Sequence, residues 1–350
     1  MKYKKSISAL AMLAFAFSTA ALFAQDLPDA KLKIVGSFSN LNMSTAVEKP
    51  FWTEQIQELS NGAVSVDFVT LDQIGLKGTE TLRLMRLGVV GFASGNLSYM
   101  SADNAAFDAL DLAGLIPTIE SARAATNAYE PVLDEIMQET FNSKLLLTWP
   151  SPPQVIYCKP EVSGLKDLAG KKVRVYNKTL SDFVTSVGGT PVTIAWPEVV
   201  TAFQRGTIDC GVTGTLSGNT ANWWEVTDYL VPLNLGWAIW FHAVNLDTWN
   251  ALDPEIRAFL EKSLADLEDS FWKNAALEAQ DGINCNTGEG ECKFGKEGAM
   301  TLVPVTEEDQ ELLTTLLKST ILPRWEAECG EECTAIFYDT IGKSVGITKE

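Results

Sequence analysis

The feature that most constrains the fold is a strand–helix–strand–helix–strand pattern between residues 164 and 229. Three short β-rich runs, KKVRVY, PVTIA and IDCGV, alternate with two segments of helical pattern at residues 179–187 and 197–204. Gly188 and Gly189 end the first helix, and Pro197 begins the second, where a missing N–H costs little. Such alternation is typical of a parallel sheet with helices packed on its faces. We therefore predict an α/β fold.

A second set of alternating elements lies upstream. The pattern predicts strands and helices in turn, with strands at residues 31–38, 64–71, 89–94 and 145–149 and helices at 44–61, 79–87, 121–129 and 131–141. Because 350 residues are too many for one compact core, we expect two α/β lobes. The turn-rich run Ser151-Pro152-Pro153 would carry the chain from the first lobe to the second, and an apolar strand at residues 239–245 would carry it back. Further helices are predicted at residues 253–280 and 306–325.

Two segments carry a resemblance to a known family. One combines DLAGKKVRV with VGGTPVTIAWPEVVTAFQRGTIDCGVT, and the other, upstream, is QIGLKGTETLRLMRLGVVGFASG. In this order and spacing they resemble the solute-binding receptors of tripartite ATP-independent periplasmic (TRAP) transporters. The resemblance covers nearly all of the chain after its first residues.

The resemblance implies a two-lobed periplasmic binding protein fold. Each lobe would be a mostly parallel sheet flanked by helices, and a long helix would span both lobes. We place lobe I at residues 25–150 and 239–278, and lobe II at residues 151–238 and 279–350. The receptor would capture a small organic acid in the cleft and deliver it to the small and large membrane permease subunits, with transport driven by an ion gradient. We expect a monomer without cofactor or metal.

Three candidate ligand-binding residues, Arg174, Trp196 and Thr213, fall near the carboxyl ends of predicted strands. Ligands of open α/β sheets bind beyond these ends. A guanidinium can hold a carboxylate with two parallel hydrogen bonds, and the resemblance implies that Arg174 does so. The alternatives are a surface arginine on an edge strand and a tryptophan that only packs in the core.

The remaining candidates come from loops and from the resemblance. Ser94, Gly95 and Asn96 follow a first-lobe strand, where small residues let backbone N–H groups approach an anion. Asn40 lies in the first strand–helix turn and can donate from its amide. The family keeps a glutamine at Gln154, and Trp237 lies on the segment that returns between lobes. The loop residues are alternatively turn residues or helix caps.

Six cysteines in a chain with an export leader favour disulfides. We expect three pairs: Cys158 with Cys210, Cys285 with Cys292, and Cys329 with Cys333. Two buried free thiols are the alternative for the first pair. Helical spacing would hold the last pair too far apart for a bond, so we predict an irregular loop there. Zinc is a poor alternative because the pairs lack CxxC spacing and histidine partners.

The N-terminus resembles a secretory signal peptide, since Lys2, Lys4 and Lys5 precede an apolar stretch over residues 6–23. We expect residues 1–24 to direct export to the periplasm and to be removed, and an uncleaved membrane anchor is the alternative.

Charge and motif content exclude other classes of protein. A formal net charge of -18 argues against nucleic-acid binding. The single histidine, His242, sits in an apolar strand, and the sequence lacks a nucleophile elbow, an HExxH motif and a Walker loop. We therefore expect no enzyme. The alternatives kept open are a receptor of an ATP-driven transporter, a ligand sensor, and a secreted enzyme that acts on small acids.

Overall fold

The computed structural model of the chain describes residues 27–349, so the predicted signal peptide lies outside the described residues. Within this range the chain forms eleven strands: β1 (Ala30–Gly36), β2 (Val64–Thr70), β3 (Phe92–Asn96), β4 (Ser143–Trp149), β5 (Gln154–Cys158), β6 (Lys172–Val175), β7 (Thr190–Thr193), β8 (Cys210–Gly214), β9 (Tyr229–Val231), β10 (Trp240–Asn245) and β11 (Thr301–Leu302).

The α-helices of the described range are α1 (Ile56–Leu59), α2 (Thr81–Arg86), α3 (Ile119–Phe141), α4 (Lys178–Ser186), α5 (Val199–Gln204), α6 (Thr215–Thr220), α7 (Leu246–Ala251), α8 (Pro254–Thr287), α9 (Glu307–Leu316), α10 (Leu322–Phe337) and α11 (Lys343–Val345). Turns of 3-10 or π type extend several of them, among them Met43–Glu48 and Phe51–Gln55 before α1, Trp196–Glu198 before α5 and Leu317–Ile321 between α9 and α10.

The strands form two sheets, each of which is mostly parallel, as predicted. The first has the order β2-β1-β3-β10-β4, and β10 runs antiparallel to both of its neighbours. The second has the order β11-β9-β5-β8-β6-β7, and here β5 is the strand that runs against its neighbours. The chain leaves the first sheet after β4 and returns to it at β10. The exact lobe boundaries given above stay a prediction.

One long helix touches both lobes. α8 packs against β4 of the first sheet and against α6, which follows β8 of the second. Asp253 caps its first turn, Pro254 occupies the first helical position, and Gly288 ends it with a left-handed φ of 71°. The helix continues through Thr287, beyond the end predicted at residue 280. Gly282 lies inside it and does not end it, because the helix packs there directly on the backbone of Thr215 and Leu216, where an added Cβ would fall 2.3 Å from Leu216 N.

The two helices predicted at residues 121–129 and 131–141 are one helix, α3. Pro131 lies inside it. Proline removes the hydrogen bond to the carbonyl of the residue four positions earlier, Asn127. Both residues are exposed, so water can solvate that carbonyl, and the helix continues through the proline.

The three predicted cysteine pairs are all disulfide-bonded. Cys158 and Cys210 face each other on the antiparallel strands β5 and β8. The loop predicted around Cys329 and Cys333 was wrong, because both residues lie in α10. Gly330 interrupts that helix with a φ of 82°, so the regular helical spacing that would separate the two side chains is broken at one residue. The helix predicted to end at residue 325 likewise continues through α10.

Buried apolar side chains from both sheets and their helices form one hydrophobic core. Within the part of the chain that the structure describes, no helix combines the length and apolar character needed to cross a membrane.

Candidate functional site

A cavity lies where the two sheets turn the carboxyl ends of their parallel strands toward each other. β3, β4, β6 and β8 end beside it, and the antiparallel strands β5 and β10 begin beside it. It is a narrow space of about 330 Å³, part of which is open to solvent. The walls are formed by Phe38, Leu41, Asn96, Tyr99, Ser151, Gln154, Arg174, Tyr176, Trp196, Thr213, Ser217, Ala238 and Trp240. The cavity therefore occupies the edge at which α/β sheets bind ligands, and it is narrow.

Arg174 lines this cavity and is only 1% exposed. Its Nε donates to the carbonyl of Ile194 at 3.0 Å and its Nη1 to the carbonyl of Val212 at 2.8 Å. Its Nη2 is buried and forms no hydrogen bond of good geometry with the described residues, while the guanidinium as a whole interacts with the Tyr99 hydroxyl. Burial lowers the pKa of Arg174, but a guanidinium titrates so high that it stays charged at neutral pH. The side chain is thus fixed at two nitrogens and has donor capacity left at the third.

Aromatic rings surround the guanidinium and continue along the cavity. The Arg174 Cζ atom lies 5.5 Å from the ring centre of Tyr176 and 6.0 Å from that of Trp196, which are cation–π distances. On the first lobe, the rings of Phe38 and Trp240 meet edge to face at 6.0 Å. Both lobes therefore present flat apolar faces to the same small space.

The other polar wall groups are neutral. Gln154 donates from Nε2 to the carbonyl of Pro152 at 2.8 Å, and Asn96 Oδ1 accepts the backbone N–H of Ser98 at 3.0 Å. Thr213 contributes a hydroxyl from the end of β8. These groups offer amide and hydroxyl donors and acceptors, and none of them carries a charge at neutral pH.

Polar contacts join the lobes around the cavity. The indole Nε1 of Trp196 donates to Asn40 Oδ1 at 3.0 Å. Near it, Lys77 Nζ lies 2.6 Å from Glu198 Oε1, and both side chains are about half exposed. The first contact holds an aromatic wall of the second lobe against the first strand–helix turn, so it depends on the lobes being together.

Asp111 is a buried acceptor shared by both lobes. Its Oδ2 accepts from Ser98 Oγ at 3.0 Å, from the Tyr176 hydroxyl at 2.9 Å and from Asn177 Nδ2 at 3.1 Å. Its Oδ1 accepts the backbone N–H of Ala238 at 3.1 Å. Burial raises the pKa of Asp111 to about 6 in spite of these bonds. The carboxylate is not among the wall residues, and it stands behind Tyr176.

The structure brings five of the predicted site residues together in the cavity wall and places four elsewhere. Arg174, Trp196, Thr213, Gln154 and Asn96 form the first group. The second group is Asn40, Trp237, Ser94 and Gly95. Asn40 reaches the wall only through Trp196, and the indole Nε1 of Trp237 donates to the carbonyl of Ile116 at 3.0 Å. The Ser94 hydroxyl donates to Glu48, and a Cβ added at Gly95 would fall 2.6 Å from the ring of Phe241.

Several wall residues were not predicted. Tyr176 lies two positions after Arg174, Tyr99 three after Asn96, and Trp240 three after Trp237. Tyr176 and Tyr99 sit just beyond the carboxyl ends of β6 and β3, so the rule that selected the predicted residues could also have selected them, whereas Trp240 begins β10. Asp111 offered no such signal, because it lies in a segment without regular hydrophobic spacing.

His242 belongs to the core of the first lobe. Its Nε2 accepts a hydrogen bond from the indole Nε1 of Trp52 at 2.9 Å, and its Nδ1 lies 3.4 Å from Ser94 Oγ. Burial lowers the pKa of His242 to about 4, so the ring is neutral at physiological pH. Between residues 27 and 349, no group of three or more His, Cys, Asp and Glu side chains is arranged to hold a metal ion.

Comparison with known proteins places the chain among bacterial solute-binding proteins. The family DctP, described as bacterial extracellular solute-binding protein, family 7, matches residues 39–321. The C4-dicarboxylate-binding periplasmic protein DctP of Rhodobacter capsulatus is 24% identical over 220 residues, which cover 62% of this chain and 65% of that relative. The chain thus spans slightly less than two thirds of that curated relative.

Two solved structures share the fold. DctP7 of Bordetella pertussis, an extracytoplasmic solute receptor binding pyroglutamic acid, superposes with a TM-score of 0.80 at 21% identity, over 89% of this chain and 99% of that one. A TRAP periplasmic solute-binding protein from Sulfurospirillum deleyianum with bound succinate gives 0.78 at 17% identity, over 90% of this chain and 100% of that one. At these identities the likeness shows the fold alone.

Proposed function

The chain belongs to the bacterial extracellular solute-binding proteins of family 7, and on this premise we propose that it is the receptor of a TRAP transporter for a small organic acid. The observation that carries the proposal is Arg174, a buried cation in the cavity between the lobes with one nitrogen that forms no hydrogen bond of good geometry with the described residues. Relatives with this fold bind pyroglutamic acid and succinate, both of which are small carboxylates.

Arg174 would hold the carboxylate of the ligand. Its Nε and Nη1 are already fixed by the carbonyls of Ile194 and Val212, so the guanidinium is oriented before a ligand arrives. Preorganisation of this kind lowers the entropy cost of binding. A charge-assisted hydrogen bond in such a buried site contributes about 1.5–3 kcal/mol. Trp196, Thr213, Gln154 and the other wall residues would fix the remainder of the ligand.

The same arginine couples the ligand to closure of the lobes. With the lobes together, Nη2 is buried without a hydrogen bond of good geometry to the described residues, which costs about 1–3 kcal/mol. With the lobes apart, water would solvate it. A carboxylate removes the cost only in the closed arrangement, and a ligand shifts a conformational equilibrium by its differential affinity for the two states. Closure then follows ligand binding and excludes water from the acid.

The receptor would work outside the cytoplasm. We propose that residues 1–24 direct export, that the mature protein is a periplasmic monomer, and that its closed form docks on the small and large membrane permease subunits. The acid would be handed over chemically unchanged, with an ion gradient as the source of energy. No catalytic group is needed for this work, because the receptor acts through binding alone.

A binding experiment tests this function. The protein is unfolded in guanidinium without reductant and refolded, so that carried ligands are lost and the disulfides stay intact. A thermal-shift screen against mono- and dicarboxylates, keto acids, aromatic acids and sulfonates should give at least one carboxylate that raises the melting temperature. Calorimetry then measures its affinity, and mass spectrometry should recover it unaltered. If no carboxylate binds, or if the bound acid is converted, the proposal is wrong.

A further inference from the structure

We propose that the acid carries one carboxylate on a flat ring and that its other polar groups are uncharged. This rests on the proposed function, since it concerns the ligand of the same cavity. The argument uses the charges of the wall, the placement of its rings and the neutral groups that remain.

The wall supplies a single cation. Of the thirteen wall residues, only Arg174 carries a formal charge at neutral pH. Lys77, the cation at the nearby interlobe contact, is paired with Glu198 at 2.6 Å and is not a wall residue. One ionised carboxylate can therefore be matched, and a second would be buried without a counter-ion, which is strongly unfavourable.

The charge behind the wall is also negative. Tyr176 lines the cavity, and its hydroxyl donates to Asp111 Oδ2 at 2.9 Å. A second ligand carboxylate placed toward Tyr176 would approach this carboxylate, and like charges repel most strongly in a buried site. The distribution of charge therefore disfavours dicarboxylates as a class.

The rings of the wall favour a flat ligand. Phe38, Tyr99 and Trp240 come from the first lobe, and Tyr176 and Trp196 from the second. Tyr99 and Tyr176 approach each other across the lobes with ring centres 5.9 Å apart. When the lobes close, aromatic faces meet the ligand from both sides, and planar groups gain most from stacking between such faces.

Neutral groups complete the recognition. Gln154 and Asn96 provide amides, and Ser151, Thr213 and Ser217 provide hydroxyls. They suit a ring amide, carbonyl or hydroxyl, which can exchange hydrogen bonds with them without a charge penalty. An apolar acid of the same shape would form none of these additional hydrogen bonds.

Three acids with equal numbers of non-hydrogen atoms test the single carboxylate and the ring separately. Pyroglutamate has one carboxylate and a ring amide. N-acetylalanine differs from it by opening of the ring and keeps the carboxylate and the amide. Glutarate has two carboxylates. Orotate and benzoate extend the panel of planar monocarboxylates, and 2-pyrrolidone is the ring without the carboxylate. Calorimetry on the refolded, ligand-free full chain gives each affinity at pH 8, where the carboxylates are ionised.

We expect one of the cyclic monocarboxylates to bind at least about 100-fold more tightly than glutarate, since the second carboxylate would be buried unpaired. It should bind at least about tenfold more tightly than N-acetylalanine, and 2-pyrrolidone should show no binding. Glutarate or succinate within tenfold of the best cyclic acid would overturn the single-charge inference while leaving an organic-acid receptor intact. If N-acetylalanine bound as tightly as the best cyclic acid, the inference that the ligand carries a flat ring would be overturned. Failure of every acid would overturn the proposed function and this inference together.

Discussion

Replacement of Arg174 by alanine is the sharpest test of the site. The substitution removes the single cation of the cavity wall together with two hydrogen bonds, from Nε to the carbonyl of Ile194 and from Nη1 to the carbonyl of Val212. It therefore has two separable consequences, one for the ligand and one for the second sheet. Both can be worked out from the structure.

The loss of affinity should be large. A buried carboxylate that loses its cationic partner is destabilised by about 3–5 kcal/mol, which corresponds to roughly a hundredfold to several thousandfold in the dissociation constant. The loss of folding stability should be small by comparison. Two hydrogen bonds from the charged guanidinium disappear, at a cost of about 1.5–3 kcal/mol each, but the cost of burying a cation that is only 1% exposed, several kcal/mol, disappears with them.

Calorimetry on the acid found by the screen measures the affinity, and urea unfolding of the ligand-free protein measures the stability. Arg174→Lys should recover part of the affinity, because it keeps the charge and loses the planar fork. Lys172→Ala is the matched control, since it removes an exposed cation from the same strand. A folded Arg174→Ala protein that binds the acid within threefold of wild type would refute the role of this residue.

Three further predictions concern closure, pH and covalent bracing. Asn40→Ala should weaken ligand binding about two- to tenfold without changing the unfolding of the ligand-free protein, because the Trp196 indole N–H loses an acceptor that it meets only across the lobes; equal affinities by calorimetry would contradict this. Burial raises the pKa of Glu278 to about 7 from its ordinary 4.5, so its contribution to the free energy of unfolding is full below pH 4.5 and is lost as pH rises through 7. In urea unfolding, Glu278 should make the free energy of unfolding up to about 3 kcal/mol higher at pH 5 than at pH 8, and Glu278→Gln should remove this difference. A variant with the same pH profile as the wild type would contradict the prediction. Cys292→Ser removes the Cys285–Cys292 disulfide and should lower the free energy of unfolding by about 2–3 kcal/mol. Ligand affinity should stay the same, and a shift in affinity would show that the loop between these cysteines reaches the cavity.

Much of the fold could be predicted because local patterns and the global fold agree. The strand–helix alternation from residue 164 onward gave β6, α4, β7, α5 and β8 in the right order. The errors arose where exposure or one residue decides the outcome. α3 continues through Pro131 because the carbonyl that loses its hydrogen bond is exposed to solvent. Gly330 interrupts α10 at a single residue, and no loop forms there. Neither exposure nor a single φ angle can be read from hydrophobic spacing.

The candidate site was predictable to the extent that it follows strand ends. Arg174, Thr213 and Asn96 sit at the ends of strands, and the rule for α/β sheets selects them. It could not distinguish Trp237 from Trp240, because the start of β10 decides which of the two indoles faces the cavity and which one donates to a backbone carbonyl. That choice depends on tertiary register, which residue spacing does not encode.

Tyr176 has a role that emerges only from the packed structure. Its hydroxyl donates to Asp111, and its ring centre lies 5.5 Å from the Arg174 guanidinium. Had the buried carboxylate paired directly with the buried arginine, a ligand would have to break that ion pair before it could bind, and breaking a buried pair costs several kcal/mol. With the tyrosine between them, Asp111 is satisfied by neutral donors and Arg174 keeps its Nη2 for another acceptor. An acidic protein can in this way retain one local site for an anion.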